Sequence, residues 1–448
     1  MNDIYISGSG TLTQPQLEHY SGSVAAYLTA RKVRIAAVIA GKSPLVYAAI
    51  RGCIMSGVCY IPVDEALPEQ RREVLSEAEV VLYDSGEFHG EPWYTDLREV
   101  VRRESPAEAE MPLLCSDRPA YRIYTSGTTG SPKGIEVTLG NVGSFLRWFM
   151  TIPAIAEVKP RRVLNQAMFS FDLSVAELYY SLFTGAALTG SERGLWQDFP
   201  RLCQRITDSR AELAVFTPAF AELCLCDSSF SRELLPELRV FFFCGEVLKP
   251  EVAAKLFRRF PRVRIVNAYG PTECCCAVTA AEITPDMTEQ SLPVGDMSHT
   301  AGEVRVENGE IVIYGGSVAR YVGAEQGGFR SVNGVRRFHT GDSGYIEGGR
   351  LYFAGRLDRQ VKIMGYRIEP EDIENNLLKI PGVLQAAVSV SGRGSRSSLS
   401  AEVRTDGSVT PENIRRELPR FLPKHMIPGR ITVAEVLPMS ASGKLKRG

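Results

Sequence analysis

A run of eleven residues, YTSGTTGSPKG at 124–134, combines five Ser or Thr side chains with three glycines and a lysine. Glycine backbones can turn successive amides into one anion-binding concavity, and hydroxyls and an ammonium group add further donors. The apolar stretch PAYRIY precedes the run, so we expect a strand to lead into this loop. The pattern predicts a cradle for a polyphosphate rather than a flexible linker. Its expected ligands are Thr125, Ser126, Gly127, Thr128, Thr129 and Lys133.

A second stretch, AGKS at 40–43, looks like the end of a Walker A loop. That motif requires a glycine five residues before Gly41, and position 36 is Ala. We therefore do not assign this stretch to phosphate binding.

Four further stretches follow along the chain: NAYGPTE (267–273), FHTGD (338–342), GRLDRQVKIMGYRIEPEDIE (355–374) and MSASGKLKR (439–447). Together with the first run, and in this order, they resemble the motifs of the adenylate-forming (ANL) superfamily. That superfamily comprises acyl-CoA synthetases, luciferases and the adenylation domains of peptide synthetases. The resemblance implies that a carboxylate reacts with ATP to give an acyl-adenylate and pyrophosphate, a reaction in which the site must hold two anions together.

The resemblance also implies a role for each matched residue. Glu273 would hold Mg²⁺, Thr272 would bind the α-phosphate, and Lys444 would reach the reacting groups from a C-terminal domain. Within the nucleotide site, Tyr269 would stack on adenine and Asp342 would accept the ribose hydroxyls. The nucleotide-binding residues implied in these motifs are Asn267, Ala268, Tyr269, Gly270, Asp342 and Arg356.

The stretch FSFDLSVAELYYSL (169–182) resembles the branch of the superfamily that activates amino acids. In that branch the carboxylate at the position of Asp172 pairs with the substrate ammonium, whose burial without a partner would be costly. No second charge occurs among the matched walls, so a charged substrate side chain is not expected. These walls are Leu173, Ala176, Val215, Phe242, Cys244, Gly245, Ala268, Cys276 and Ala277.

The stretches FSFDLSV, FSRELLPELRVFFFCGEVL and RFPRVRIVNAYGPTE resemble the D-alanine–D-alanyl carrier protein ligases in particular. This resemblance implies transfer of the activated amino acid to the phosphopantetheine thiol of a separate carrier protein, since no carrier sequence follows Gly448. Ala176 and Ala268 are smaller than expected for that family, so another small amino acid is an alternative substrate. The other hypotheses are a stand-alone peptide-synthetase-like adenylation enzyme, an acyl- or aryl-CoA synthetase, and a non-catalytic binding protein.

Apolar strand-like runs alternate with helical patterns through the first 350 residues, which predicts an α/β fold with sheets covered on both faces. Residues 213–220, 238–246 and 263–270 are among the expected strands. Residues 303–355 show hairpin alternation around Gly and Asn turns, which predicts a small antiparallel unit.

Beyond residue 357 the pattern changes to that of a small α+β domain. This change predicts a domain boundary near Asp358, with an adenylation core over 1–357 and a C-terminal domain over 358–448. The resemblance to the adenylate-forming superfamily implies that the C-terminal domain is a mobile lid that rotates about Asp358 as the hinge. Residues 410–428 are expected to form a helix capped by Thr410.

The composition excludes several classes of protein. The chain has 448 residues and a formal net charge of −1, so no general attraction to nucleic acid is expected. The sequence shows neither a signal peptide nor an apolar run long enough for a membrane helix. We therefore expect a cytoplasmic location and no insertion into a membrane. None of the ten cysteines forms a CxxC pair, and we expect them to be reduced thiols rather than a metal site.

Overall fold

The structure is a computed structural model that describes residues 3–68, 75–84, 93–125, 132–191, 194–195, 198–323, 328–332, 334–363, 366–391, 398–435 and 437. The chain divides into two compact units. Unit 1 comprises Met1–Glu65, Glu77–Ile123 and Ile135–Leu357, and unit 2 comprises Ala66–Ser76, Tyr124–Gly134 and Asp358–Gly448. Residues 66–76 and 124–134, which the sequence places in the first domain, therefore group with unit 2.

The strands that begin before residue 358 are β1 (Asp3–Ser7), β2 (Gly10–Thr13), β3 (Ile35–Ile39), β4 (Cys59–Val63), β5 (Val80–Tyr83), β6 (Tyr94–Asp96), β7 (Pro119–Thr125), β8 (Lys133–Thr138), β9 (Arg162–Asn165), β10 (Ala187–Gly190), β11 (Leu213–Phe216), β12 (Val240–Phe243), β13 (Arg264–Tyr269), β14 (Thr279–Ile283), β15 (Gly295–Asp296), β16 (Glu303–Glu307), β17 (Glu310–Tyr314), β18 (Arg320–Tyr321), β19 (Phe329–Val332), β20 (Val335–Glu347) and β21 (Arg350–Arg356). The helices in the same part are α1 (Gln14–Ala30), α2 (Pro44–Ser56), α3 (Leu97–Arg103), α4 (Leu139–Thr151), α5 (Pro153–Val158), α6 (Ser174–Thr184), α7 (Phe199–Ser209), α8 (Pro218–Cys224) and α9 (Pro250–Arg259). Unit 2 continues with β22 (Val361–Ile363), β23 (Tyr366–Ile368), α10 (Pro370–Leu377), β24 (Val383–Ser391), β25 (Ser398–Thr405), α11 (Pro411–Glu417) and β26 (Arg430–Val433).

Two large sheets dominate the part of the chain before residue 358. One has eight strands in the order β14-β13-β12-β11-β9-β10-β1-β2, and the other has seven in the order β18-β8-β7-β4-β3-β5-β6. Strands β9 to β13 run parallel, and β11 and β12 are buried along their whole length. Continuous burial is the property expected of parallel strands with helices on both faces. The predicted α/β class is confirmed.

A third, antiparallel sheet contains β15, β21, β20, β17 and β16 in that order, with β19 paired to β20. The turn between β16 and β17 is formed by Asn308 and Gly309 with φ of 52° and 83°. Positive φ at both central residues is the geometry of a type I′ turn, which matches the twist of a hairpin and favours Asn-Gly. The antiparallel unit predicted over 303–355 is therefore confirmed.

Two predicted strands are too long, and one of them, 238–246, is extended only over Val240–Phe243. The run 213–220 was expected to be extended throughout, but β11 ends at Phe216 and Thr217 begins α8. The Thr217 hydroxyl accepts a hydrogen bond from the Phe220 amide, and Pro218 occupies the first turn of the helix. Both features are favoured at helix starts, and they outweigh the apolar character of the segment.

Unit 2 has its own core, in which α10 and α11 pack against the sheet β24-β25-β26. The continuous helix predicted over 410–428 is wrong: α11 ends at Glu417, and 3₁₀ turns follow at Leu418–Arg420 and Lys424–Met426. Pro419 and Pro423 lack the amide hydrogen that a continuing α-helix needs. Thr410 does cap the helix as predicted.

Of the helices that the structure describes, none combines the length and the apolar character needed to cross a membrane.

Candidate functional site

The predicted phosphate loop lies between strands β7 and β8, and the structure describes the strand residues on either side of it. Thr125 is the last residue of β7 and Lys133 is the first residue of β8. The strand expected before the loop is therefore present. Four predicted loop ligands and the predicted C-terminal lysine lie outside the described residues: Ser126, Gly127, Thr128, Thr129 and Lys444.

The nucleotide motif NAYGPTE begins on β13 and continues past its carboxyl end. Asn267 is buried, and its side-chain amide donates to the carbonyl oxygen of Pro293 over 2.8 Å. Gly270 directly follows β13, and its backbone lies close to the backbone of Ala277. A Cβ atom at position 270 would lie 2.5 Å from the Cα atom of Ala277. Only glycine allows this approach, which folds residues 271–277 back against the end of the sheet. The carboxyl ends of parallel strands are where α/β sheets bind ligands.

Tyr269, Asp342 and Arg356 meet in one buried hydrogen-bonded group. The Tyr269 hydroxyl donates to Asp342 Oδ2 over 2.6 Å, and Arg356 Nη1 donates to Asp342 Oδ1 over 2.7 Å. Burial raises the pKa of Tyr269 well above its ordinary value, so this phenol stays protonated and acts as a donor. The structure thus brings together three residues that the sequence predicts for the nucleotide from two separate motifs. The Asp342 side chain is fixed in place by two donors, and charge-assisted bonds of this kind contribute about 1.5–3 kcal/mol each.

Asp172 and Thr272 also meet, although 100 residues separate them. The Thr272 hydroxyl donates to Asp172 Oδ2 over 2.5 Å, and the Asp172 side chain is almost completely buried. The residue predicted for the amino-acid ammonium therefore lies beside the residue predicted for the α-phosphate. A site for a substrate carboxylate beside a nucleotide requires this proximity.

Glu273, the predicted magnesium ligand, is completely buried and accepts a hydrogen bond from the Tyr321 hydroxyl over 3.2 Å. A buried carboxylate offers the hard oxygen that Mg²⁺ prefers, and Mg²⁺ is commonly held by one or two carboxylates together with substrate phosphates. Glu273 fits such a role. Within the described ranges, no cluster of three or more His, Cys, Asp or Glu side chains is arranged to hold a metal ion.

The predicted substrate walls are buried and belong to one apolar cluster: Leu173, Ala176, Val215, Phe242, Cys244, Ala268, Cys276 and Ala277. The Cys244 thiol lies 3.6 Å from the carbonyl oxygen of Cys276. A hydrogen bond with the Cys244 thiol and, to a smaller extent, burial raise the pKa of the Cys276 thiol. The thiol therefore stays protonated and presents an apolar surface. Gly245 adopts a φ of +94°, a conformation that L side chains rarely take.

Sequence reasoning missed a buried polar group beneath the loop that leads to Asp172. The Lys42 ammonium donates to the carbonyl oxygens of Asn165 and Gln166 over 2.8 Å and 2.9 Å. The Asn165 amide in turn donates to Glu177 over 2.7 Å, and burial raises the pKa of this carboxyl to about 8. Lys42 belongs to the AGKS stretch, and the lysine residue itself was the only sequence feature that could have indicated this buried polar group.

Tyr321 was also missed, because its two-residue strand carries no recognisable motif. Strand β18 pairs with β8 in antiparallel orientation, and this pairing places Tyr321 opposite Ile135. Its contact with Glu273 depends on this pairing, which no local sequence signal specifies.

Comparison with known proteins places these motifs in a known context. Residues 2–321 match the family model described as AMP-binding enzyme. A D-alanine–D-alanyl carrier protein ligase of Bacillus mycoides is 36% identical over 433 residues, which cover 88% of this chain and 84% of that ligase. A ligase of the same name from Listeria innocua is 36% identical over 442 residues, covering 90% of this chain and 86% of the relative.

Among solved structures, this chain is similar to holo-PA1221, an NRPS protein containing adenylation and PCP domains bound to a vinylsulfonamide inhibitor. The TM-score is 0.82 at 25% identity, with 99% of this chain and 80% of that chain covered. These matches confirm the resemblance that the five motifs indicate.

Proposed function

The chain belongs to the AMP-binding enzyme family and is an ATP-dependent, AMP-forming ligase; from this premise we propose that it activates a small amino acid, with D-alanine as the first candidate. The aminoacyl-adenylate is then transferred to the phosphopantetheine thiol of a separate carrier protein. The name shared by the two ligases at 36% identity supports both the amino acid and the acceptor.

The observation that carries the proposal is the buried contact between Asp172 and Thr272. A buried carboxylate needs a positive partner to remain ionised at low cost, and the α-ammonium of an amino acid supplies one. Thr272 lies at hydrogen-bond distance from this carboxylate, so an ammonium at Asp172 would place the substrate carboxylate near the α-phosphate. A fatty or aryl acid has no ammonium group to offer this buried carboxylate.

In the first reaction, this chain's residues bind, orient and neutralise the reactants. Asp342, fixed by Tyr269 and Arg356, accepts the ribose hydroxyls, and the cradle ending at Lys133 binds phosphate oxygens. Glu273 would hold Mg²⁺, which supplies neutralisation of phosphate charge when bound. The carboxylate oxygen attacks the α-phosphorus and pyrophosphate leaves, and Lys444 balances the charge of both reacting anions.

The apolar walls support a small, uncharged side chain. Ala176, Cys244 and Cys276 present only short side chains to the cluster, and no wall residue is charged. A peptide-synthetase-like adenylation enzyme for another small apolar amino acid is the second candidate, because Ala176 and Ala268 leave room for a larger side chain. One methylene changes discrimination by only about 1–3 kcal/mol, so a close homologue of D-alanine could be the preferred substrate.

We further propose that residues 358–448, the C-terminal part of unit 2, form a mobile lid that alternates between the two half-reactions by rotation at Asp358. The passage from unit 1 to unit 2 between Leu357 and Asp358 supports this position for the hinge. Alternation would bring Lys444 to the reactants for adenylation and withdraw it for thioester formation.

Pyrophosphate exchange with purified protein, ATP and magnesium tests the proposal. D-alanine, L-alanine, glycine, D-serine, D-2-aminobutyrate and a benzoate are compared as the only carboxylic substrate. We expect exchange with one small amino acid and none with benzoate. Exchange with benzoate alone would refute amino-acid activation, and a clear preference for L-alanine or 2-aminobutyrate would favour the second candidate.

A further inference from the structure

The geometry points to Arg359 as a positioning residue that, together with Arg356, confines the lid hinge to Leu357 and Asp358. The inference rests on the proposed two-step function, because only that function requires the lid to rotate. It concerns the two arginines on either side of the hinge, each of which is bound to a different unit.

On the unit 1 side, the chain is fixed up to the hinge itself. Arg356 Nη1 donates to Asp342 Oδ1 over 2.7 Å and to the carbonyl oxygen of Thr340 over 2.8 Å. The backbone amide of Leu357 donates to the carbonyl oxygen of Gly341 over 2.8 Å. The Arg356 and Asp342 side chains are only 18% and 9% exposed, so solvent screens this ion pair weakly.

On the unit 2 side, the chain is fixed again at the first residue after Asp358. Arg359 Nη1 donates to Glu371 over 2.7 Å, and Nη2 donates to Glu374 over 3.1 Å and to the carbonyl oxygen of Val388 over 2.7 Å. Glu374 is 4% exposed and also accepts a bond from the Val388 amide over 2.9 Å. Arg359 therefore joins the hinge to both α10 and β24.

After Arg359, Gln360 is only 4% exposed and its backbone amide donates to Asp358 Oδ1 over 3.1 Å, and the strand pairing of unit 2 begins at Val361, opposite Ile368. Loss of the Arg359 contacts would therefore extend the segment able to change its dihedral angles from 357–358 to 357–359. A longer pivot permits many lid orientations, whereas each half-reaction requires one. We call the contacts of Arg359 with Glu371, Glu374 and Val388 the clamp. Misplacing a catalytic group by about 1 Å can lower a rate on the order of 100-fold, so the clamp is expected to affect the reaction rate rather than substrate binding.

The inference is tested by Arg359→Ala, the conservative Arg359→Lys, and Arg416→Ala as a control. Arg416 is an exposed arginine of the same unit whose side chain donates to Asn413. Hydrogen exchange is measured by mass spectrometry, and turnover by pyrophosphate exchange with the preferred amino acid. We expect Arg359→Ala to speed amide exchange within 359–363 and to lower kcat roughly tenfold, with the KM for ATP unchanged. Arg359→Lys should fall between wild type and Ala, and Arg416→Ala should match wild type.

Unchanged amide exchange and kcat in Arg359→Ala would overturn the inference, as would faster exchange throughout unit 2, which would mean that Arg359 merely maintains the fold. If Arg359→Ala does not fold, Glu371→Gln removes one carboxylate of the clamp, the more exposed of the two, and the same local increase in exchange is expected. A wild-type protein without pyrophosphate exchange would refute the proposed function, but the amide-exchange comparison would still test the clamp.

Discussion

Replacing Asp172 by Asn tests the amino-acid assignment most directly. The variant keeps the shape of the side chain and one oxygen that can accept the Thr272 hydroxyl hydrogen bond, which is 2.5 Å long in the wild type. It removes the negative charge and replaces the other carboxylate oxygen with an amide NH2 group. Provided that the fold is maintained, a loss confined to amino-acid binding is the effect expected from removal of the counter-charge for the substrate ammonium.

The size of the loss follows from burial. Asp172 is 9% exposed, so an ammonium bound to it is largely removed from water, and screening by salt is weak. Removing one partner of a buried, hydrogen-bonded charge pair costs roughly 2–5 kcal/mol. At about 1.4 kcal/mol for each factor of ten, the KM for the amino acid should rise between roughly 30-fold and several thousand-fold.

The assay is pyrophosphate exchange with the amino acid and ATP varied separately. We expect the KM for ATP to stay within about threefold, because Asp342 and its two donors are unaltered. Asp286→Asn, which removes an exposed carboxylate of the same unit, is the control and should behave as wild type. An Asp172→Asn protein with an unchanged KM for its amino acid would refute the ammonium contact and leave a CoA-ligase-type substrate as the better hypothesis.

Three further predictions follow from other parts of the molecule. Lys444→Ala should abolish pyrophosphate exchange while largely sparing thioester formation from supplied adenylate; equal loss in both assays would contradict its role in the first step only. Glu177 has a folded pKa raised from 4.5 to about 8, so it binds a proton in the folded state that the unfolded chain releases, and stability should fall as pH rises across that window. In urea titrations, the free energy of unfolding of the wild type should fall by up to roughly 4 kcal/mol between pH 5 and 8 on account of Glu177, and Glu177→Gln should lack this decline. Parallel pH profiles of the two proteins would argue against a buried neutral carboxyl. Gly270→Ala would place a methyl group 2.5 Å from the Cα atom of Ala277 and should cost about 1–3 kcal/mol, seen as a melting temperature lower by several degrees. Gly194→Ala, whose added methyl would meet nothing within 4 Å, should melt as wild type, and equal melting of both variants would disprove the close approach.

Local sequence signals predicted the elements well where one physical factor dominated. Continuous apolar runs become buried parallel strands, and the Asn308-Gly309 turn closes its hairpin as expected. Prediction failed where two signals competed within a few residues. In 213–220 an apolar run contains Thr217 and Pro218, and the capping residues determine where the strand ends. In 410–428 the apolar spacing of a helix continues past Pro419, and the missing amide hydrogen ends α11 earlier.

The sequence by itself determined the chemistry, because phosphate cradles, nucleotide carboxylates and helix caps depend on residue type and short spacing. Which side chains meet was decided only by the tertiary structure. Thr272 reaches Asp172, Tyr321 reaches Glu273, and Lys42 binds the chain before Asp172 because strand pairing and the close approach at Gly270 bring distant segments together. Such contacts depend on the summed burial of the whole core, which no short stretch of sequence encodes.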